Sequence, residues 1–212
     1  MKILNCLLFI ILTSITVAQT TYELQPGSKK NLFEMSISNN TSNLMQSVKI
    51  FVQNKPEWVN FAKNEMVLDK INKLEKQTIQ FYFDVLGDAP IGEESKITFR
   101  ITNGNGGGFT KVYNILITAP TFFEVQQNYP NPFNPNTTIQ YSIPQSAFVS
   151  IKVFNVLGEI VKNLVNKDEK TGVHEVIFNA DNLSSGFYFY LVEAKGVDGT
   201  KYFDAKKMVV LK

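Results

Sequence analysis

This sequence has very few of the side chains on which enzymes and metal sites most often depend. Of its 212 residues, one is cysteine, one is histidine and one is tryptophan. The cysteine, Cys6, lies in a leading segment that we expect to be removed on export. The mature chain then has no disulfide, no thiolate nucleophile and no cysteine-ligated metal. Its stability must come from hydrophobic cores alone.

The single histidine, His174, limits the acid–base chemistry that the chain could perform. It lies on an alternating stretch in which the neighbouring acid, Glu175, faces the other way, so a catalytic triad built on it is not indicated. The carboxylate pairs at 93–94 and 168–169 are expected in turns, as solvated charge. The sequence has neither a D-x-D-x-D-G loop nor a His/Cys cluster. We therefore expect no catalytic residue, no metal and no cofactor.

Charge and glycine patterns argue against two further classes of protein. The net charge is +2, and lysines and arginines do not cluster among aromatic residues, so nucleic acid is not an expected partner. The glycine-rich run at 104–108 joins two strand patterns instead of opening a helix. It is therefore interpreted as a hairpin loop and not as a phosphate-binding loop.

Long hydrophobic runs are also missing. The apolar run at 6–12 is shorter than the roughly 18 residues that span a bilayer. It follows Lys2 and precedes small residues at 16–18, which predicts a secretory signal over residues 1–18 with cleavage after Ala18. Lipid attachment at Cys6 is the alternative. Asn5 before the cysteine, and the position of the apolar run after it, argue against that alternative.

From residue 20 onward, short stretches of alternating apolar and polar residues follow one another, with turn residues between them. Such stretches are typical of half-buried strands. They occupy residues 32–38, 48–52, 58–61, 78–85, 97–101 and 112–117. No segment shows a convincing helical period. The pattern predicts an antiparallel β-sandwich over residues 20–118.

A short hinge at 119–121 leads to a second region with the same strand style. Its strand patterns occupy residues 138–143, 149–153, 173–178, 187–191 and 206–212. The predicted fold class is therefore all-β, with two antiparallel β-sandwich domains in tandem, at 20–118 and 122–212.

The most distinctive stretch, residues 128–138, stands at the head of the second domain. Three prolines within six residues each fix φ and remove a backbone donor, so the stretch is neither a helix nor a central strand. Residues before proline are extended, and asparagine side chains can close local turns. We predict a stiff, extended ribbon that Tyr129 and Phe133 anchor to a sheet as apolar pegs. Its expected role is an address or a docking surface.

Aromatic residues raise the question of carbohydrate binding. Trp58 and the run at 187–190 could stack on sugar rings. A lone tryptophan in a sandwich more often packs in the core, and an aromatic strand more often packs in a sheet.

The second domain carries ordered motifs at 128–135, 137–139, 143–144, 153–158, 172–174, 183–189 and 207–212. Through these motifs, residues 122–212 resemble the type A C-terminal sorting domain of the type IX secretion system, which is found in Bacteroidetes and related bacteria. Residues 179–181 depart from the family, which often has Trp or an Asp-Gly pair there.

The resemblance implies a sorting signal and a set of partners. The residues that carry the motif are Tyr129, Pro130, Asn131, Pro132, Phe133, Asn134, Pro135, Gly158, Ser185, Gly186, Lys207 and Lys212. The implied partners are the outer-membrane translocon and a sortase-like peptidase, which would cut near residues 119–121. The cargo would be released or joined to surface lipopolysaccharide or glycan. The implied location is extracellular or on the cell surface.

Residues 20–118 are similar to bacterial immunoglobulin-like modules, through the segments 35–40, 56–59, 81–85 and 89–92. That similarity implies a fold and little about function. The sequence thus favours an exported, non-enzymatic protein that carries a small immunoglobulin-like cargo. Two alternatives stay open, a carbohydrate- or matrix-binding module and an accessory tail that acts beside a secreted hydrolase.

Overall fold

The computed structural model describes residues 3–6, 21–104 and 107–212, and for 3–6 it describes the backbone only. All sixteen regular elements in this part of the chain are β-strands, which confirms the predicted all-β class. Within these residues no helix could cross a membrane. The predicted cleavage site at Ala18 lies outside the described residues. The chain divides into two compact units, Met1–Thr118 and Ala119–Lys212.

The first unit is a sandwich of a four-stranded and a five-stranded sheet. Its strands are β1 (Ile3–Cys6), β2 (Thr21–Leu24), β3 (Asn31–Ser38), β4 (Met45–Asn54), β5 (Val59–Phe61), β6 (Glu65–Ile71), β7 (Lys76–Val85), β8 (Glu94–Thr102) and β9 (Gly108–Ile117). The sheet orders are β1-β3-β7-β5 and β2-β9-β8-β4-β6. Alternate residues of both sheets face inward, and Phe33 stacks on Phe83 at 4.7 Å between ring centroids. Burial of these aromatic rings supplies the core.

Two edge pairs in this unit are parallel, β1 with β3 and β2 with β9, while the other pairs are antiparallel. Alternation in the sequence tells which face a residue occupies and leaves the direction of an edge strand open, because no tight hairpin joins either pair. Strands β8 and β9, which flank the glycine-rich run, pair antiparallel from Thr102 and Gly108 outward, as the hairpin prediction requires.

The second unit is a smaller sandwich. Its strands are β10 (Glu124–Val125), β11 (Asn136–Ile143), β12 (Ala147–Phe154), β13 (Ile160–Glu169), β14 (Gly172–Asn179), β15 (Gly186–Gly196) and β16 (Lys201–Val210). They form a three-stranded sheet, β10-β11-β14, and a four-stranded sheet, β13-β12-β15-β16. Inward residues such as Ile139, Val149 and Tyr190 are fully buried between the two sheets.

Two features of this topology position the candidate site. The last strand, β16, lies at the edge of the four-stranded sheet and pairs with β15 along its whole length. Residues 126–135, which contain the three prolines, connect β10 to β11 in the opposite sheet. The edge strand and the proline-containing connection meet along one side of the sandwich.

Candidate functional site

Residues 127–135, here called the Pro–Asn segment, are bent where the sequence predicts an extended ribbon. The segment contains bends and makes two isolated bridges, Tyr129 to Thr138 and Phe133 to Val210. All three X–Pro bonds are cis. Asn128 closes a local turn through a hydrogen bond from its Nδ2 to the carbonyl of Pro130, at 3.1 Å. The extended prediction is therefore wrong, because side chain and backbone bonds tie the segment to two different sheets.

Of the two aromatic residues predicted to anchor the segment to a sheet, only Phe133 does so. Phe133 is buried, with 2% of its surface exposed, and lies against Phe178 at 5.8 Å between ring centroids. Tyr129 is 78% exposed. Its backbone exchanges two hydrogen bonds of 3.0 Å with Thr138, and this main-chain pairing leaves the ring outside. The prediction for Tyr129 is wrong for that reason.

A buried polar network holds the start of the segment. The Asn128 side chain donates to Thr137 Oγ1 at 2.9 Å, and its main-chain N–H donates to the Tyr190 hydroxyl at 3.0 Å. That hydroxyl donates to the carbonyl of Gln126 at 2.8 Å. Each of these groups is satisfied, as burial requires. Burial raises the pKa of Tyr190 to about 12, so its hydroxyl stays a donor at neutral pH.

The Pro–Asn segment binds the last strand directly. The N–H of Phe133 donates to the carbonyl of Val209, and its own carbonyl accepts from Leu211, both at 3.0 Å. Asn131 Oδ1 accepts the N–H of Val209 at 3.0 Å. Gln127 Nε2 donates to the carbonyl of Lys207 at 2.8 Å. The segment thus contacts the free edge of β16 through one isolated bridge and two amide side chains.

The residues after β16 are held as well. The N–H of Lys212 donates to Ser185 Oγ at 3.0 Å, and its ammonium donates to the carbonyl of Asp181 at 2.8 Å. Gly186 lies opposite Val210 in the register of β15 and β16. Ser185, Gly186 and Lys212, which lie far apart in sequence from the prolines, are therefore held at the end of the same strand, on the side of β15.

The remaining motif residues lie in two places. Pro135 offers its carbonyl to Ala180 at 2.9 Å, while Pro130, Asn131, Pro132 and Asn134 are exposed. The ammonium of Lys207 lies over the ring of Phe187, 5.2 Å from its centroid. Gly158 lies apart from all of these, in the turn between β12 and β13, where it has φ +81°.

Sequence reasoning missed the residues that support the segment, namely Thr137, Asp181 and Tyr190. Tyr190 is recognisable as an inward position of an alternating strand. Its partners, Gln126 and Asn128, are more than 60 residues away, and nothing in the local sequence connects them.

The one histidine does lie near an acid, although a different acid from the one considered in the sequence. His174 Nδ1 is 3.4 Å from Glu169 Oε2, across the turn between β13 and β14. Glu169 is part of β13 and half-buried, so the expectation of solvated charge in a turn is corrected for this residue. The third member is Tyr141, whose ring stacks on the imidazole at 5.3 Å. Burial, and then the charge of Glu169, raise the pKa of Tyr141, so its hydroxyl is not an activated nucleophile.

The other two chemistries considered in the sequence are carbohydrate binding and metal binding. Trp58 is half-buried and packs against the core of the first unit. Over residues 3–6, 21–104 and 107–212, no group of three or more His, Cys, Asp or Glu side chains could hold a metal ion. In the second unit, the hydrogen bonds that join Gln127, Asn131 and Phe133 to the last strand and to Leu211 are here called the clasp.

Residues 127–210 match the family described as "Secretion system C-terminal sorting domain". The second unit is therefore a sorting domain of the type IX secretion system, as the sequence motifs predict. A comparison with curated proteins finds no match.

Several solved structures are similar at low identity. Dimeric latent PorU from Porphyromonas gingivalis has 12% identity and a TM-score of 0.36, over 93% of this chain and 19% of that chain. CBD12 from CALX1.2 has 11% identity and a TM-score of 0.35, over 79% of this chain and 76% of that chain. The CupB2 chaperone of Pseudomonas aeruginosa has 8% identity and a TM-score of 0.31, over 91% and 98%. This chain thus spans about a fifth of the length of the PorU structure. At these scores the likenesses carry no argument about function.

The sorting domain has direct consequences for the protein. It marks the chain for export across the cell envelope, to the surface or the medium. It interacts with the secretion machinery, and it is not itself catalytic.

Proposed function

We propose that this protein is an exported, non-enzymatic carrier in which residues 122–212 deliver residues 20–118 through the type IX translocon. The predicted signal at 1–18 takes the chain across the inner membrane. The sorting domain then directs it across the outer membrane, and the immunoglobulin-like first unit reaches the surface or the medium as cargo.

The observation that carries this proposal is the clasp between the Pro–Asn segment and β16. Phe133 and Asn131 bond the main chain of Val209 and Leu211, and Lys212 bonds Ser185. Motif residues from opposite ends of the domain therefore meet around the last strand. A translocon that binds there contacts residues from both ends of the domain, and these residues come together only when the domain is folded.

The non-enzymatic part of the proposal is supported by the chemistry of the acid–base cluster around His174. Glu169, His174 and Tyr141 are mutually in contact, and the raised pKa of Tyr141 keeps its hydroxyl protonated at neutral pH. Cleavage of the sorting domain is proposed near residues 119–121. Thr121 and Phe122 are exposed there, while Pro120 is buried, so the bond between the two exposed residues is the accessible one.

The test is to delete residues 206–212 and to fractionate cells of the producing bacterium. The truncated protein is expected to accumulate in the periplasm, while the full chain reaches the surface or medium. The control is Val197→Ala, which changes an exposed side chain outside the sorting motifs and leaves the clasp intact. Surface delivery of the truncated chain at the level of the full chain would overturn the proposal. Mass spectrometry of the mature ends then locates both cleavages.

A further inference from the structure

The outer face of the four-stranded sheet in the sorting domain carries an apolar patch that the fold leaves uncovered. In the register of that sheet, Phe154 lies opposite both Ile160 and Phe189, and Phe187 lies opposite Val209. Leu191 lies two residues along from Phe189 on the same face. We call these six residues the sheet-face patch.

The sheet-face patch is accessible to a partner. Phe187 and Ile160 are each 53% exposed, and Phe189 is 40% exposed. Contiguous exposed apolar residues of this kind mark an interaction site more often than isolated ones do. The patch lies on three neighbouring strands and on the end of β13, so its backbone is rigid and gives a preformed contact surface.

The charge around the sheet-face patch limits the kind of partner. Lys207 lies opposite Phe189, and its ammonium is over the Phe187 ring without a carboxylate partner in the described residues. Lys152, in the next row, is 3.7 Å from Glu193, so its charge is balanced. The patch therefore presents an apolar centre with the positive charge of Lys207 at its edge.

We propose that the sheet-face patch is the docking surface for a protein component of the export machinery, one that offers an apolar ridge with a carboxylate facing Lys207. This inference rests on the proposed function and adds the surface through which the sorting domain binds. Apolar contact supplies the affinity, and the Lys207 pair sets register and specificity.

Two other occupants fit less well. Binding to an anionic membrane takes clusters of about four to eight basic residues, whereas the patch has Lys207 beside its rings and Lys152, paired with Glu193, in the next row. A second copy of this chain would pair patch against patch through a two-fold axis, which brings Lys207 of each copy to the same interface. Like charges there oppose the contact.

The test uses the full chain in its producing bacterium. Phe187→Ser and Lys207→Glu are compared with Phe203→Ser, which removes an aromatic ring that is 77% exposed, against 53% for Phe187, at the far end of the same sheet face. Loss of one central anchor is expected to lower surface delivery about tenfold or more. The Phe203→Ser control is expected to export normally, and Lys207→Arg is expected to retain delivery. A photo-crosslinking phenylalanine at position 187 is expected to link to an envelope protein, and the same group at position 203 is not.

The remaining outcomes overturn the inference. Normal delivery of Phe187→Ser and Lys207→Glu does so, provided that deletion of residues 122–212 still abolishes delivery. If that deletion is also delivered, the proposed function fails instead. Flotation of the purified chain with phosphatidylglycerol vesicles, lost in both variants, would assign the patch to lipid. A dimer in light scattering, lost in both variants, would assign it to a second copy. A thermal melt of each purified variant identifies any that fail to fold. Lys207→Glu changes an exposed side chain and is the variant that should fold most readily.

Discussion

The carbonyl of Phe133 accepts the main-chain N–H of Leu211 at 3.0 Å, which ties the Pro–Asn segment to the residues just beyond β16. The two residues are 78 positions apart in the sequence. A change in the Pro–Asn segment is therefore expected to affect the last strand, and a change in the last strand is expected to affect the segment.

Removing the Phe133 ring should destabilise the second unit. Its side chain is 2% exposed and packs on Phe178, so Phe133→Ala loses apolar burial and leaves a cavity worth about 3–5 kcal/mol. Urea unfolding followed by circular dichroism measures the loss. The fluorescence of Trp58 reports on unfolding of the first unit. Its midpoint in urea is expected to be the same in the variant and the parent chain, and it serves as the internal reference. A loss below about 1 kcal/mol would contradict the packing described here.

The Asn131 amide is expected to matter more than the Asn134 amide. Asn131→Ala leaves the N–H of Val209 without its partner and should cost the second unit about 1 kcal/mol. The Asn134 side chain is exposed and makes no hydrogen bond within the described part of the chain, so Asn134→Ala should stay within about 0.5 kcal/mol. Equal losses in paired denaturation curves would show that the Asn131 bond contributes nothing.

Tyr190 makes the second unit sensitive to alkaline pH. Its pKa is about 12 in the folded chain, against an ordinary value of 10.0. Above pH 10 the unfolded chain loses this proton first, so the stabilising contribution is complete below pH 10 and is lost as the pH rises toward 12. The slope from this one group is at most about 1.4 kcal/mol per pH unit.

Denaturation curves between pH 9 and 11 measure how the free energy of unfolding falls with rising pH. This range covers about two pH units around the ordinary tyrosine pKa. Tyr190→Phe should make the decline shallower, and Tyr141 contributes a decline of the same sign because its pKa is also raised. Tyr129→Phe removes an exposed phenol and is the matched control. An unchanged slope in Tyr190→Phe would refute the assignment to this hydroxyl.

The turn between β12 and β13 should depend on glycine. Gly158 has φ +81°, and Asn155 accepts the N–H groups of Leu157 and Glu159 around it. An added Cβ finds open space there, so the expected cost of Gly158→Ala is conformational, about 1 kcal/mol. Gly158→Asn should cost less, since asparagine tolerates this region. Thermal melts of the purified variants measure these costs. Gly87→Ala, where an added Cβ also meets open space but the glycine lacks the positive φ, should be nearly neutral in the same melts.

The strand pattern and the motif order were readable from the sequence because both depend on local rules. Alternation over 78–85 places Phe81 and Phe83 inward, and the structure buries both. Proline chemistry correctly keeps residues 130–135 out of helices and central strands. The position of the Tyr129 ring could not be read in this way, because a single main-chain pair with Thr138 decides it.

The sequence by itself determined the class of the protein, since period-two hydrophobicity, turn residues and ordered sorting motifs are properties of short segments. Tertiary structure alone decided how those motifs meet. It joined Asn131 and Phe133 to the last strand, placed Lys212 on Ser185, left Gly158 at a separate turn, and gave His174 the acid Glu169. Such contacts depend on which sheet edges lie side by side after folding, and hydrophobic period carries no information about that.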